Sequence, residues 1–327
     1  MRNVTIYLGS KCNMNCSYCH REPDPEETKG LPPEFYERLK TMARESPLTV
    51  KFMGGEPTLY MDTIRKVVEA VPEAHFAVAT NGKDLEKYLP FFARHRFRIA
   101  LSYDGGDRDL RGYDPLTRLI QYPHLSISTT IFHGNTDFRK IIGQFREKSK
   151  VLGRTISFFP HLVHHTRPAN AAYALTAEDY KSVLEQWKAL VLELVEGFKK
   201  TGEIQWELTA LFDGLFRRLM ANYQYGETYC FGHNLFKVGP TGKPCSCLYI
   251  RDVPLSWEDW QDQQAAMLDY LFPQCQKCRV YGMCGGGCHK SLDHDQECAF
   301  YYALYSWFMD LADREPAVWR LGNELDK

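Results

Sequence analysis

The first half of the chain alternates short β-rich runs with helical patterns, and this alternation constrains the fold more than any other feature. The runs are "NVTIYL" (3–8), "LTVKFM" (48–53), "HFAVAT" (75–80), "RIALSY" (98–103), "SISTTIF" (126–132) and "TISFF" (155–159), with helical patterns at 33–44, 59–70 and 137–149 between several of them. Strand and helix in alternation argue for an α/β chain with a parallel sheet built of βα units. Six units predict a partial (β/α)6 barrel, open rather than closed. Ligands of such sheets bind where the carboxyl ends of the strands give way to loops, so the loops after the strands are where chemistry is sought.

A long helix is predicted over 176–200, with Thr176 as its cap, Asp179 in a capping-box position, and Tyr180, Val183, Leu184, Trp187, Val191, Leu194 and Phe198 repeating at helical spacing. A second follows over about 204–221, with Leu208, Leu211, Phe212, Leu215 and Leu219 on one face. Both read as core-facing bridges within 166–227. From Cys230 the composition changes: eight cysteines fall within 230–298 among Gly and Pro with little periodicity, which predicts a small metal-organised domain over 228–298. The tail, 299–327, is aromatic and predicted helical, packing over that domain.

Bulk properties narrow the function. Forty basic against 41 acidic residues, with no long run of either sign, indicate no nucleic-acid partner. No signal peptide is visible at the start, and the longest apolar stretch, "CAFYYALYSWFM" at 298–309, is shorter than the roughly twenty residues a membrane span needs. A cytoplasmic protein with no membrane association is expected. Eleven cysteines in such a chain point to metal or redox chemistry rather than disulfides.

Three of them form "KCNMNCSYCH" (11–20), where Cys12, Cys16 and Cys19 are spaced C-x3-C-x2-C on the loop leaving the first strand. Structural zinc sites take four ligands, usually in C-x2-4-C pairs. A four-iron cluster held by three thiolates leaves one iron open. With Tyr18 before the last cysteine, the array resembles that of the radical S-adenosylmethionine (SAM) enzymes. Later strand-end loops extend the resemblance over residues 3 to about 160. "GGEP" (Gly54, Gly55, Glu56, Pro57) follows the second strand; its glycines allow close backbone approach, and Glu56 can accept from an ammonium. "TNG" (Thr80, Asn81, Gly82) follows the third strand and "SYDG" (Ser102, Tyr103, Asp104, Gly105) the fourth. Each is ordinary turn chemistry in isolation. In this family their order implies contacts to the methionine amino group, ribose and carboxylate of SAM, with Ser102 the better cofactor contact and Asp104 a structural residue. The resemblance implies a TIM-like partial barrel and reductive cleavage of SAM to a 5′-deoxyadenosyl radical that takes hydrogen from an unactivated C–H.

Cys275, Cys278, Cys284 and Cys288 are spaced C-x2-C-x5-C-x3-C, with Cys298 after nine further residues and Cys230, Gly242 and Cys247 upstream. This order resembles the SPASM extension of radical SAM enzymes, which implies two auxiliary [4Fe–4S] clusters and so three in all. Cys275, Cys278, Cys284 and Cys298 would hold the outer cluster, and Cys230, Cys247 and Cys288 the inner one. Cys245 is an eighth cysteine outside the minimal pattern: the inner cluster's fourth ligand, a hydrogen-atom donor, or a buried thiol. A zinc module is the plainer alternative. His164, His165, His289, His294, Asp213 and Asp104 are weaker candidates, the histidines for substrate or hydrogen-bonding roles and the aspartates as bases.

The family expectation is a radical enzyme that modifies a peptide or protein side chain by cross-linking, thioether formation, epimerisation or oxidation. Dehydrogenation or rearrangement of a small metabolite is the alternative, and an iron–sulfur electron carrier that never cleaves SAM is a third reading. Expected partners are the peptide or protein and an electron donor such as flavodoxin or ferredoxin; because the first cysteine at position 12 leaves no room for an N-terminal leader-binding module, recognition is expected by a separate peptide-recognition protein, by the core, or of a short substrate.

Overall fold

The computed structural model describes residues 2–19, 21, 30–105, 115–119, 121–153, 156–166, 168–224, 235–245, 272–288 and 291–326. The chain divides into two compact units that do not follow chain order. One comprises Met1–Tyr103, Leu110–Ser126 and Cys230–Leu268; the other comprises Asp104–Asp109, Ile127–Tyr229 and Asp269–Lys327.

In the first unit the strands are β1 (Arg2–Tyr7), β2 (Leu48–Met53), β3 (His75–Thr80) and β4 (Arg98–Ser102), each paired in parallel with the next in order. Helices α1 (Pro33–Glu45), α2 (Met61–Ala70), α3 (Leu89–Arg94) and α4 (Leu116–Leu119) lie between or after them. One face of the sheet is wholly apolar. Val4, Ile6, Val50, Phe52, Val78, Ile99 and Leu101 have no exposed surface there, the period-two signature of a buried strand face. Phe52, Phe76 and Phe97 stack with centroids 5.1–6.4 Å apart, and Phe91 and Phe92 of α3 pack against Phe97. The opposite face carries Thr5, Lys51 and Ala77 in register.

A seventh strand was not expected. Leu235–Val238 pairs in parallel with the free edge of β1, Asn3 opposite Leu235 and Ile6 opposite Val238, and is labelled β7 after the two strands of the second unit. Phe236 and Val238 favour a strand, but four residues followed by "GPTGKP" are too few for their alternation to announce one, and the pairing with β1 settles it. The chain then turns back, with Gly239 N donating to Lys243 O (3.0 Å) and Cys245 N to Lys237 O (2.9 Å).

The second unit holds most of β5 (Leu125–Ile131), all of β6 (Ser157–Leu162), and helices α5 (Phe138–Leu152), α6 (Ala177–Thr201), α7 (Thr209–Ala221), α8 (Tyr281–Cys284), α9 (His294–Arg314) and α10 (Pro316–Leu325). The predicted tail helix is two helices, interrupted at Glu315, whose extended backbone (φ −121°, ψ 98°) suits a residue preceding proline. The tail packs on α6 and α7. Phe300 meets Tyr180 and Trp187, Phe308 meets Phe212, and Trp319 meets Phe216, all with centroids within 6.4 Å. Among the described residues no helix is long and apolar enough to cross a membrane.

The capping box expected at α6 is present: Asp179 N donates to Thr176 Oγ1 (3.1 Å), while Thr176 N donates to Asp179 Oδ2 (2.8 Å). His133 Nδ1 also donates to Asp179 (2.7 Å). Burial pushes the Asp179 pKa up, but the Thr176 and His133 hydrogen bonds outweigh it and hold the carboxyl below its usual value. Thr176→Val should destabilise the protein by about 1 kcal/mol near neutral pH. Because the folded pKa is depressed, the stability Asp179 contributes is present above the usual carboxylate range and is lost as pH falls through its lowered value. The difference between wild type and variant, measured by urea unfolding, should therefore shrink in acid.

Candidate active site and cysteine centre

The first site is built from the loops that follow β1, β2 and β3. Cys12, Cys16 and Cys19 lie on the β1 loop, all partly exposed, with Tyr18 buried beneath them. A turn closed by Cys19 N donating to Cys16 O (3.0 Å) places two of the thiols on one bend.

This loop is held by backbone contacts with "GGEP". Gly55 N donates to Gly9 O and Glu56 N to Lys11 O, both at 2.8 Å. A Cβ on Gly55 would stand 2.2 Å from Lys11 O, and one on Gly54 2.6 Å from Gly9 O. The space that the two glycines leave is thus taken by the cysteine loop itself. Tyr60 Oη adds an acceptor for Lys11 N at 2.8 Å.

Glu56 joins the next loop. Its side chain is fully buried and its carboxylate accepts four hydrogen bonds. Oε1 accepts from Thr58 N (3.0 Å), Thr58 Oγ1 (2.8 Å) and Thr80 Oγ1 (2.7 Å), and Oε2 from Asn81 N (2.8 Å). Burial pushes its pKa above the usual carboxylate range, against the pull of these donors. A carboxylate has about four acceptor sites, so Glu56 is largely committed to clamping the β2 loop to the β3 loop. Thr58 carries two of the four bonds, and no motif drew attention to it.

Asn81 completes the connection. Its Nδ2 donates to Asn13 Oδ1 (2.9 Å) and lies 3.6 Å from Cys12 Sγ, a hydrogen-bonding distance for sulfur, while Lys83 N donates to its Oδ1 (2.8 Å). This side chain thus reaches a cysteine of the first motif. Ser102 ends β4, partly exposed. Asp104, in the other unit, is buried; its Oδ1 accepts from Thr130 N (3.3 Å) and its backbone oxygen from Asn135 Nδ2 (3.3 Å). Asp213 is likewise occupied, accepting from Arg217 Nε at 2.8 and 2.9 Å.

The second site lies within the other unit. Cys275, Cys278, Cys284, Cys288 and Cys298 line one cavity together with His294, Glu297, Tyr301 and Tyr302. Cys275 and Cys278 flank a short helical turn, Cys284 ends α8, and Cys298 projects from the first turns of α9. Between Cys284 and Cys288 the chain turns through Gly285, Gly286 and Gly287, all with positive φ (63°, 94° and 73°), a path open only to glycine at such density. Burial, then the neighbouring Cys284, Cys278 and Cys298, push the Cys275 thiol up to about 11. The cysteines that the resemblance places at one cluster therefore lie close enough for the other three to disfavour ionisation of Cys275. Arg218 donates to the backbone oxygens of Met283 (3.2 Å) and Cys284 (3.4 Å). Among the described residues no three His, Cys, Asp or Glu side chains converge on the shell of one metal ion, as zinc with its 2.3 Å Zn–S bonds requires.

The remaining candidates scatter. His165 shares a 2.7 Å hydrogen bond with Asp293, His164 is buried with its pKa lowered by that burial, and His294 stacks on Phe272 with centroids 3.5 Å apart. Cys245 is buried beside β7. Cys230, Cys247 and His289 lie outside the described residues.

Glu56→Gln turns an amide N–H₂ toward a set of donors. It should cost about 1–3 kcal/mol, read as a lower urea midpoint with unchanged slope, with the cysteine loop more open to protease.

Comparison with known proteins agrees with this arrangement. Residues 6–148 match the Radical SAM superfamily. A probable GTP 3′,8-cyclase of Pyrococcus abyssi is 27% identical over 41% of this chain, and the chain spans about half (49%) of that relative's length. A cysteine-type anaerobic sulfatase-maturating enzyme of Clostridium perfringens is 23% identical over 93% of this chain and 94% of its own. The solved structure of native anSMEcpe with bound AdoMet and Kp18Cys peptide superposes with a TM-score of 0.72 at 19% identity, covering 98% of this chain and 99% of that one, which shows the partial-barrel α/β fold that the strand–helix alternation predicted. The superfamily match thus covers the strand-end motifs at residues 6–148, while the fold is shared along nearly the whole length.

Proposed function

We propose that this enzyme reductively cleaves SAM and abstracts hydrogen from a peptide or protein side chain, thereby modifying it. The observation that carries the reading is the locking of three strand-end loops into one body by Glu56, Asn81 and the Gly9–Gly55 contact. A mere electron carrier has no need of that body. Cys12, Cys16 and Cys19 would hold a [4Fe–4S] cluster through three thiolates. Bound there with SAM, the cluster supplies a carbon radical able to take hydrogen from an unactivated C–H, chemistry that belongs to the cofactors. The chain's part is to hold and orient. The Asn81 amide steadies the Cys12 sulfur, the clamped "GGEP" backbone keeps its groups fixed toward the methionine amino group, and Ser102 lies at the neighbouring strand end.

In the other unit, Cys275, Cys278, Cys284 and Cys298 would hold an auxiliary four-iron cluster, since all four line one cavity and such clusters are bound by four thiolates. Cys288, with Cys230 and Cys247, would serve a second, and Cys245 is the nearest candidate for its fourth ligand. The peptide class rests on the length-wide likeness to the sulfatase-maturating enzyme and on the peptide bound in anSMEcpe. A nucleotide or other small metabolite is the second reading, favoured by the cyclase likeness over 41% of the chain. A flavodoxin or ferredoxin would supply electrons, and a separate protein could present the peptide.

Anaerobically reconstituted enzyme should hold about twelve irons, and replacing Cys12, Cys16 and Cys19 together by Ala should leave about eight. Wild type, once reduced, should release 5′-deoxyadenosine from SAM, and the triple variant should release none. Stoichiometric zinc with little iron would defeat the cluster assignments. Asn81→Leu removes an N–H donor from the Cys12 sulfur and should lower that cluster's potential by on the order of 50 mV in a spectroscopic redox titration; an unchanged potential would show that the amide does not act on the cluster.

A further inference from the structure

The unused face of the first unit's sheet carries a charge with no counterpart. Thr5 on β1 is in register with Lys51 on β2 and, on its other side, with Lys237 on β7. The next residue in the row, across from Lys51, is Ala77. Strand alternation fixes which face this is: the flanking Val4, Ile6, Val50 and Phe52 are sealed on the apolar side, so Thr5 and Lys51 point the other way. Thr5 is 8% exposed and Lys51 is partly buried. Among the described residues, neither the Lys51 ammonium nor the Thr5 hydroxyl has a hydrogen-bond or ion-pair partner.

Such a lysine is costly to keep. Burial disfavours its charged form and lowers its pKa, and a cation drawn out of water without a partner is uncommon unless something binds it. Adjacent strands lie about 4.8 Å apart, so the ammonium and the hydroxyl start from neighbouring positions. The row sits three residues, about 10 Å, before the "GGEP" loop begins at Gly54. It therefore faces the end of the sheet at which ligands of parallel α/β proteins bind.

We propose that Lys51 and Thr5, with Lys237 as a second charge, form an oxyanion site that receives a carboxylate of the substrate. This rests on the reading of the chain as a radical SAM enzyme acting on a peptide, whose terminus and acidic side chains supply carboxylates. A carboxylate suits the row better than a phosphate. The N–H groups of paired strands are spent in the ladder, which leaves side-chain donors only, whereas phosphate sites commonly recruit several backbone N–H groups or an arginine fork.

Competitive acylation tests the site without turnover. Anaerobic holoenzyme saturated with SAM is pulsed with acetic anhydride, and acetylation of Lys51 relative to exposed Lys66 is read by mass spectrometry. SAM alone should leave the ratio unchanged. Glutarate at about 20 mM should lower it about threefold or more, and glutaramide, its neutral counterpart, should not. No protection by glutarate, or equal protection by glutaramide, overturns the proposal. Protection by SAM alone assigns the lysine to the methionine carboxylate and overturns it too, as does protection by inorganic phosphate without protection by glutarate. Should no peptide yield product while glutarate still protects Lys51, the carboxylate site stands and the peptide reading falls.

Discussion

One buried carboxylate organises the first site. Glu56 is removed from water at a cost that only its four donors make tolerable. Those donors come from its own loop and from the loop after β3, so neither loop can shift without leaving a buried acceptor unmet. The adjoining backbone N–H groups reach the cysteine loop in turn. Hydrogen-bond satisfaction thus ties these loops together. Preorganisation of this kind lets a site hold reactive chemistry in place without spending binding energy on ordering its own loops.

The second unit meets a comparable difficulty by other means. Its thiols are brought together by short, tightly turned segments and by α9, whose apolar residues Phe300, Leu304 and Phe308 anchor it on α6 and α7. Cys298 is therefore placed by a helix with its own core, and Cys275 and Cys278 by a turn with almost none.

Much of this was legible in the sequence where the signal is local. β2 and β3 occupy the residues their alternation indicated, and α6 begins at its capping box. The cysteine motifs stood out because ligand spacing is written along the chain. β7 did not, because its existence depends on an edge of β1 that no local pattern reveals. β6 runs from Ser157 to Leu162, later than its apolar run suggested, and carries Pro160 and His161 through the strand. The site's linkages were hidden for the same reason. Asn81 meets Cys12 across 69 positions, and Glu56 meets Thr80 across 24. Asparagine and glutamate advertise hydrogen bonding, not its destination. Lys51, within an alternating strand, carries no local signal, and only its register beside Thr5 sets it apart.

The pairing of β7 with β1 also bears on how the chain is made. Asn3 and Leu235, opposite one another in the finished sheet, are separated by most of the polypeptide. At about 5–20 residues per second of synthesis, β1 waits roughly ten seconds or more as an open edge, with its N–H and C=O groups available to any passing strand. The helices α5, α6 and α7 all emerge before the residues that close that edge. Maturation of the first unit is therefore a late event at the ribosome, during which an unsatisfied strand must be shielded from other nascent chains.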